Sequence, residues 1–146
     1  MIVLDTTVLV YAVGVEHSLR APCRELIAAV QAGEIRATTT AEVIQEFAHV
    51  RARRRGRDDA ARVASDYAEL FAPLLVVGDD DVLAGLELFG RCPRMGAFDC
   101  VLAATAARHG AAALVSADRA LAEAEGVAHL DPATAGFLDG VGGGSG

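Results

Sequence analysis

Asp5 stands where the first apolar run of the chain, Met1-Ile2-Val3-Leu4, gives out, and Thr6-Thr7 follow it directly. A carboxylate at the end of a buried strand lies at the mouth of an α/β sheet, where such folds keep their chemistry. Two more acids repeat the pattern. Asp99 lies near the start of a helical stretch after Gly96, and Asp118 comes just after the strand-like Ala113-Leu114-Val115-Ser116. A fourth acid, Glu46, lies on a helix beside an apolar stripe. Separate segments that each bring a carboxylate to one rim point to a metal-dependent acidic pocket.

Convergence has an electrostatic consequence. Like charges about 4 Å apart repel by roughly 4 kcal/mol at an effective dielectric near 20. Such a cluster either holds protons on carboxyls of raised pKa or binds a cation. Oxygen ligands without a suitable Cys/His set favour Mg²⁺ or Mn²⁺ over zinc. A metal held this way can activate a water and neutralise a phosphodiester oxygen, so the reaction class is phosphoryl transfer to water.

Each acid taken alone has a plainer reading. Asp99 would be favoured at a helix start by the macrodipole, and Asp118 could simply cap the helix that follows it. Asp5 is harder to explain that way, since Ser or Thr would cap as well. In the helix expected over 40–55, Val43, Ile44, Phe47 and Val50 make one stripe at about 100° per residue. Glu46 borders that stripe, whereas Glu42, one turn earlier, lies further round towards solvent. Glu46 is therefore the candidate and Glu42 the reserve. The run Arg51-Ala-Arg53-Arg54-Arg55-Gly-Arg57 ends the same helix. It could complement the C-terminal dipole, or grip RNA phosphates through Arg53, Arg54 and Arg57, with Arg53 expected to face the pocket. His17, His49, His109 and His129 show no ligand spacing and are read as structural.

The elements that must position these groups follow from periodicity and punctuation. Strands are expected at residues 2–5, 35–38, 74–77 and 112–116, with a fifth at 127–130. Helices are expected at 6–12, 17–31, 40–55 (capped by Thr39 or Thr40), from Asp58 or Asp59 to Phe71, 80–90, 97–109 and 119–125. Alternating strands and helices indicate an α/β fold, a three-layer sandwich around a mostly parallel sheet of four to five strands. The domain is expected to span 1–138. Residues 139–146, Gly-rich towards their end, read as a flexible tail of linker-like composition.

At 146 residues, 53% of them hydrophobic, the chain has the size and content of one domain with a core. The net charge is −7, and all 13 basic residues are arginine. The lack of lysine excludes phosphate-loop nucleotide hydrolysis and Schiff-base chemistry. An acidic protein must bind nucleic acid through a local basic patch or through metal ions. Cys23, Cys92 and Cys100 form no CxxC pair and read as reduced thiols in a cytoplasmic protein, Cys100 packed within a helix. No run of about 18 apolar residues suggests a membrane span.

Four segments carry a resemblance: Met1-Ile-Val-Leu-Asp5-Thr-Thr-Val-Leu, Thr40-Ala-Glu-Val-Ile-Gln-Glu46-Phe, Gly96-Ala-Phe-Asp99-Cys-Val-Leu-Ala-Ala and Leu114-Val-Ser-Ala-Asp118-Arg. In order and spacing they resemble the motifs of the PIN-domain ribonucleases, most of all the VapC toxins of bacterial toxin–antitoxin pairs. The likeness runs from the start to about Pro132. It implies a Mg²⁺- or Mn²⁺-dependent endoribonuclease cutting a structured RNA such as tRNA or rRNA. It also implies a homodimer and inhibition by a VapB-type antitoxin. By carry-over, Asp5, Glu46, Asp99 and Asp118 are the acidic catalytic and metal-binding residues, and Thr7 and Ser116 occupy supporting hydroxyl positions.

Two other readings compete. Haloacid-dehalogenase phosphatases also place an Asp after the first strand, but need a second Asp two residues on, where this chain has Thr7. They and response-regulator receivers also need a lysine. A non-catalytic domain that binds RNA or protein without metal is the remaining alternative.

Overall fold

The computed structural model describes residues 1–142. Ile2–Leu4 (β1) is apolar and buried at every position, as a central parallel strand must be when both faces are covered. Ala37–Thr38 (β2) pairs on one side of it and Ala113–Val115 (β3) on the other, with Ala128–Leu130 (β4) beyond. The order is β2-β1-β3-β4 and every pairing is parallel. Register matters here: Leu4 stands opposite Val115, so the residues that follow, Asp5 and Ser116, leave the sheet side by side. The Asp5 N–H donates to the Val115 carbonyl at 3.0 Å and locks that exit.

Helices surround the sheet: Thr6–Val13 (α1), Arg20–Gln31 (α2), Ala41–Arg55 (α3), Arg57–Leu70 (α4), Asp79–Arg91 (α5), Ala97–Arg108 (α6) and a short Asp139–Gly142 (α7). α1 packs on α2 and α3, α3 on α4, and α5 on α6. The core beneath them is built from Val3, Leu4, Leu9, Leu26, Phe47, Phe71 and Leu114, all essentially removed from solvent. The α/β sandwich expected from the sequence is the one observed.

Local departures have local causes. The strand expected at 74–77 does not form: Leu75 makes a single parallel bridge to Thr40, and Val76 is 77% exposed. The apolar run lies outside β2, which is only two residues long and offers no ladder to extend. The short helix expected at 119–125 is present as the 3-10 segment Arg119–Glu123. The strand expected over 127–130 is β4. Within the expected tail, Asp139–Gly142 turn as α7, and the flexibility expected of residues 143–146 lies outside the described residues. The three cysteines are free thiols. Burial, with Asp131 adding to it, pushes the Cys23 thiol up to about 12, and Cys100 is buried within α6.

Candidate active site

Thr38, Thr39 and Thr40 explain how α3 is aimed. All three are buried although polar, so each hydroxyl needs a partner. Thr38 Oγ1 donates to the Phe71 carbonyl at 3.0 Å, tying the end of α4 to the sheet. Thr39 Oγ1 donates to the Leu4 carbonyl at 2.7 Å, fixing the approach of α3 to the residue before Asp5. Thr40 Oγ1 accepts from the Val43 N–H at 3.3 Å and caps α3. With Val43 and Phe47 buried, Glu46 reaches the space beyond β1.

Asp5 is only 3% exposed, yet its carboxylate is well supplied with donors. Ser116 Oγ donates to Oδ2 at 2.6 Å and Thr7 Oγ1 donates to the same oxygen at 2.8 Å. Thr7 Oγ1 in turn accepts from the Ala117 N–H, and Ser116 Oγ from the Asp118 N–H, both at 3.0 Å. Asp118 Oδ1 accepts from the Ala120 N–H at 3.0 Å, capping the 3-10 segment. Asp99 lies in the first turn of α6. The capping role open to Asp118 is thus real, and it coexists with a place in the site.

Asp5, Glu46, Asp99 and Asp118 line one cleft of about 490 Å³, together with Thr6, Thr7, Val10, Tyr11, Gly14, Val15, His17, Val50 and Arg54. The acids feel one another. Burial pushes the Asp99 carboxyl up to about 6, and the charges of Asp5, Asp118 and Glu46 add to that rise. Burial, then Asp5, raises Glu46 as well. The Thr6 hydroxyl is near enough to oppose that rise, but no group meets it with sound hydrogen-bond geometry, so it is a buried polar atom left facing the cleft.

Four carboxylates face one permanently charged cation, Arg54, among the described residues lining the cleft. Such a set, oxygen-only and short of positive charge, fits a hard divalent cation. Among the described residues no three His, Cys, Asp or Glu side chains already stand closely enough to cage an ion. The acids share a space and not yet a point.

The other sequence candidates separate clearly. Thr7 and Ser116 both bond Asp5. Glu42 is exposed one turn before Glu46 and does not line the cleft. Arg54 lines it; Arg53 and Arg57 are exposed and do not. The expectation that Arg53 faces the pocket is thereby corrected. A helical side chain leans back towards the N-terminus, so a surface spot is covered by a residue about one position later in sequence.

His129 Nε2 lies 2.9 Å from the Ser116 carbonyl oxygen, and His109 Nε2 lies 3.4 Å from Asp81 Oδ2. Both have structural surroundings. Sequence reasoning missed Tyr11, Gly14 and His17 in the cleft wall. Thr7, Val10, Tyr11 and Gly14 follow at steps of three and four, a spacing that already put them on one face of α1.

A four-stranded parallel sheet with an acid emerging from β1, another following β3, and two more brought by α3 and α6 defines a nuclease-like acidic cleft. Residues 2–127 match the family model described as the PIN domain, and the chain belongs to that family. Within it, the chain is of the VapC ribonuclease type. It is 53% identical over 142 residues to Ribonuclease VapC7 of Mycobacterium tuberculosis (strain ATCC 25618 / H37Rv), covering 94% of this chain and 96% of the relative. It is 33% identical over 126 residues to Ribonuclease VapC23 of Mycobacterium tuberculosis (strain CDC 1551 / Oshkosh), covering 85% and 98% respectively.

Proposed function

We propose that this ribonuclease is a metal-dependent endoribonuclease, the toxin of a toxin–antitoxin pair, which hydrolyses phosphodiester bonds in a structured RNA such as tRNA or rRNA. One observation supports this most. Carboxylates from four separate segments line one cleft so closely that Asp5, Asp118 and Glu46 all raise the pKa of Asp99. In this reading Asp5, Glu46, Asp99 and Asp118 hold Mg²⁺ or Mn²⁺. When bound, the ion supplies an activated water and neutralises charge on the phosphodiester.

The chain's own residues supply the rest. Ser116 and Thr7 both donate to Oδ2 of Asp5, which fixes the carboxylate plane and leaves Oδ1 for a ligand. Asp118 spends Oδ1 on its cap and keeps Oδ2. Asp99, whose carboxyl is pushed up to about 6 by burial and the neighbouring acids, would be one of the oxygens that a cation keeps ionised. Arg54, lining the cleft, offers a guanidinium to the RNA phosphates, which the carboxylates alone would repel. A VapB-type antitoxin, a second copy of the chain and a cytoplasmic setting complete the proposal; among the described residues no helix is long and apolar enough to cross a membrane.

Purified protein incubated with total RNA tests it. Cleavage with Mg²⁺ or Mn²⁺, stopped by EDTA and by Asp5→Asn in a folded protein, is expected, and mapping the 5′ ends identifies the RNA. Metal-independent binding without cleavage would instead support the non-catalytic alternative. Expression alone is expected to arrest growth, with relief by a small neighbouring gene.

A further inference from the structure

The cleft has two unlike halves. Its acidic half is assigned above; the other half is built by the C-terminal end of α1 and the turn after it. Tyr11 and His17 lie with ring centroids 4.7 Å apart and planes inclined by 31°, and both line the cleft. The Leu19 N–H donates to His17 Nδ1 at 3.1 Å, so the imidazole is held in place beside the phenol ring. Val10, Val15 and Val50 make the surrounding wall apolar. Gly14 completes it, and a Cβ there would lie 2.8 Å from the Val10 carbonyl oxygen.

Tyr11 packs against the hydrophobic core but is not enclosed by it, and His17 stands at the surface. Tyr67, the other tyrosine, is buried and packs edge-on against Phe47 with centroids 5.0 Å apart. Tyr11 is only half-buried and His17 is exposed, so the pair presents aromatic surface to whatever enters the cleft. The rise of α1 separates Tyr11 from Asp5 by about 9 Å along the helix axis. That suits a base attached to, or one nucleotide from, a phosphate held at the carboxylates.

We propose that the Tyr11–His17 pair is a stacking platform for an unpaired RNA base next to the scissile phosphate. It would be a specificity-determining subsite of the same cleft, and it rests on the ribonuclease reading above. Sequence-selective RNA recognition commonly splays an unstacked base onto an aromatic side chain. Arg54, lining the same cleft, would take the adjoining phosphate and so favours a nucleic acid over an apolar peptide as the occupant.

The chain has no tryptophan and two tyrosines, so tyrosine emission reads Tyr11 directly against the buried Tyr67. Short single-stranded RNA oligonucleotides should quench that emission in the presence of EDTA, where no cutting occurs, whereas an oligonucleotide with abasic riboses should not. His17→Ala, a change at an exposed position, should weaken RNA binding roughly tenfold, the usual scale for the loss of one stack. It should also blur the base preference beside the cut. Tyr11→Phe should preserve both affinity and preference, and Tyr11→Ala should lose them. Metal-dependent cleavage with no quenching, and with His17→Ala indistinguishable from wild type in affinity and preference, would overturn the platform while leaving the nuclease reading standing. Quenching in a protein that never cuts would sink the hydrolytic reading and overturn the placement of the stacked base beside a scissile phosphate. Quenching by an antitoxin-derived peptide but not by RNA would overturn the platform in favour of a protein contact.

Discussion

Ser116 Oγ donates a 2.6 Å hydrogen bond to Asp5 Oδ2 across 111 residues of sequence. Both residues are buried, and the bond exists because β1 and β3 pair in a register that ends them level. Ser116 Oγ also accepts from the Asp118 N–H, so one hydroxyl sets the positions of two acids.

Ser116→Ala should therefore do two things. It removes a donor from a buried carboxylate, which costs about 1.5–3 kcal/mol when the acceptor is charged. It also leaves Oδ2 of Asp5 held by the Thr7 hydroxyl alone, so the carboxylate is less firmly placed and RNA cleavage should fall about tenfold or more. Urea denaturation and single-turnover cleavage read the two effects separately. A variant of unchanged stability and unchanged rate would show that the hydroxyl does not hold Asp5.

Asp99 sets a pH dependence whose sign can be worked out. Its folded carboxyl titrates at about 6, above the usual value of 3.8. Between those values the folded state binds more protons than the unfolded one, so this group makes metal-free stability fall as pH rises through about 4 to 6. Asp99→Asn should flatten that slope in thermal melts recorded with EDTA. If the proposed cation sits at these oxygens, protons compete with it there, and Mn²⁺ affinity should weaken below about pH 6. Titrations at pH 5 and 7.5 that give the same affinity would contradict the competition.

The cation itself should stabilise the fold. A ligand at about 100 times its dissociation constant adds roughly 2.7 kcal/mol to a protein that binds it only when folded. Thermal midpoints should rise with Mn²⁺ or Mg²⁺ and return with EDTA, and Asp5→Asn should respond far less. Equal shifts in the two proteins would remove Asp5 from the metal site.

What the sequence made legible was whatever depends on local order. Asp5 and the segment ending in Asp118 could be placed at strand ends because apolar runs stop there, and Glu46 could be preferred to Glu42 from helical phase alone. The Leu74–Val77 run misled because a strand needs a neighbour, and no local pattern says that β2 is too short to provide one. The Tyr11–His17 pair was missed for a related reason. It joins the end of α1 to the following turn, and helical periodicity within α1 does not reach the course of that turn.

Gly85 marks a close crossing that was equally invisible. A Cβ added there would lie 2.5 Å from the Val101 Cα and 2.9 Å from its backbone nitrogen, so the neighbour cannot yield by a rotamer change. Gly85→Ala must push α5 away from α6, the helix that carries Asp99. Overpacking of this kind costs about 1–3 kcal/mol, occasionally more. A lower urea midpoint is expected, with part of the fall in cleavage activity traceable to a displaced Asp99. An alanine variant as stable as wild type would mean that the two helices are less closely joined than this geometry requires.

Arg54 and Arg53 are adjacent in sequence, both exposed, and both able to meet RNA phosphates on composition alone. Only Arg54 lines the cleft, so the two should separate in a salt titration. Removing one arginine that touches a phosphate reduces the slope of log affinity against log salt by about one. Arg54→Ala should show that reduction and a uniformly weaker affinity for RNAs of different sequence, because a grip on phosphate carries no base information. Arg53→Ala should keep the wild-type slope. A reversed result, with Arg53→Ala lowering the slope and Arg54→Ala leaving it intact, would mean that the RNA backbone runs along the outer face of α3 instead of entering beside Glu46.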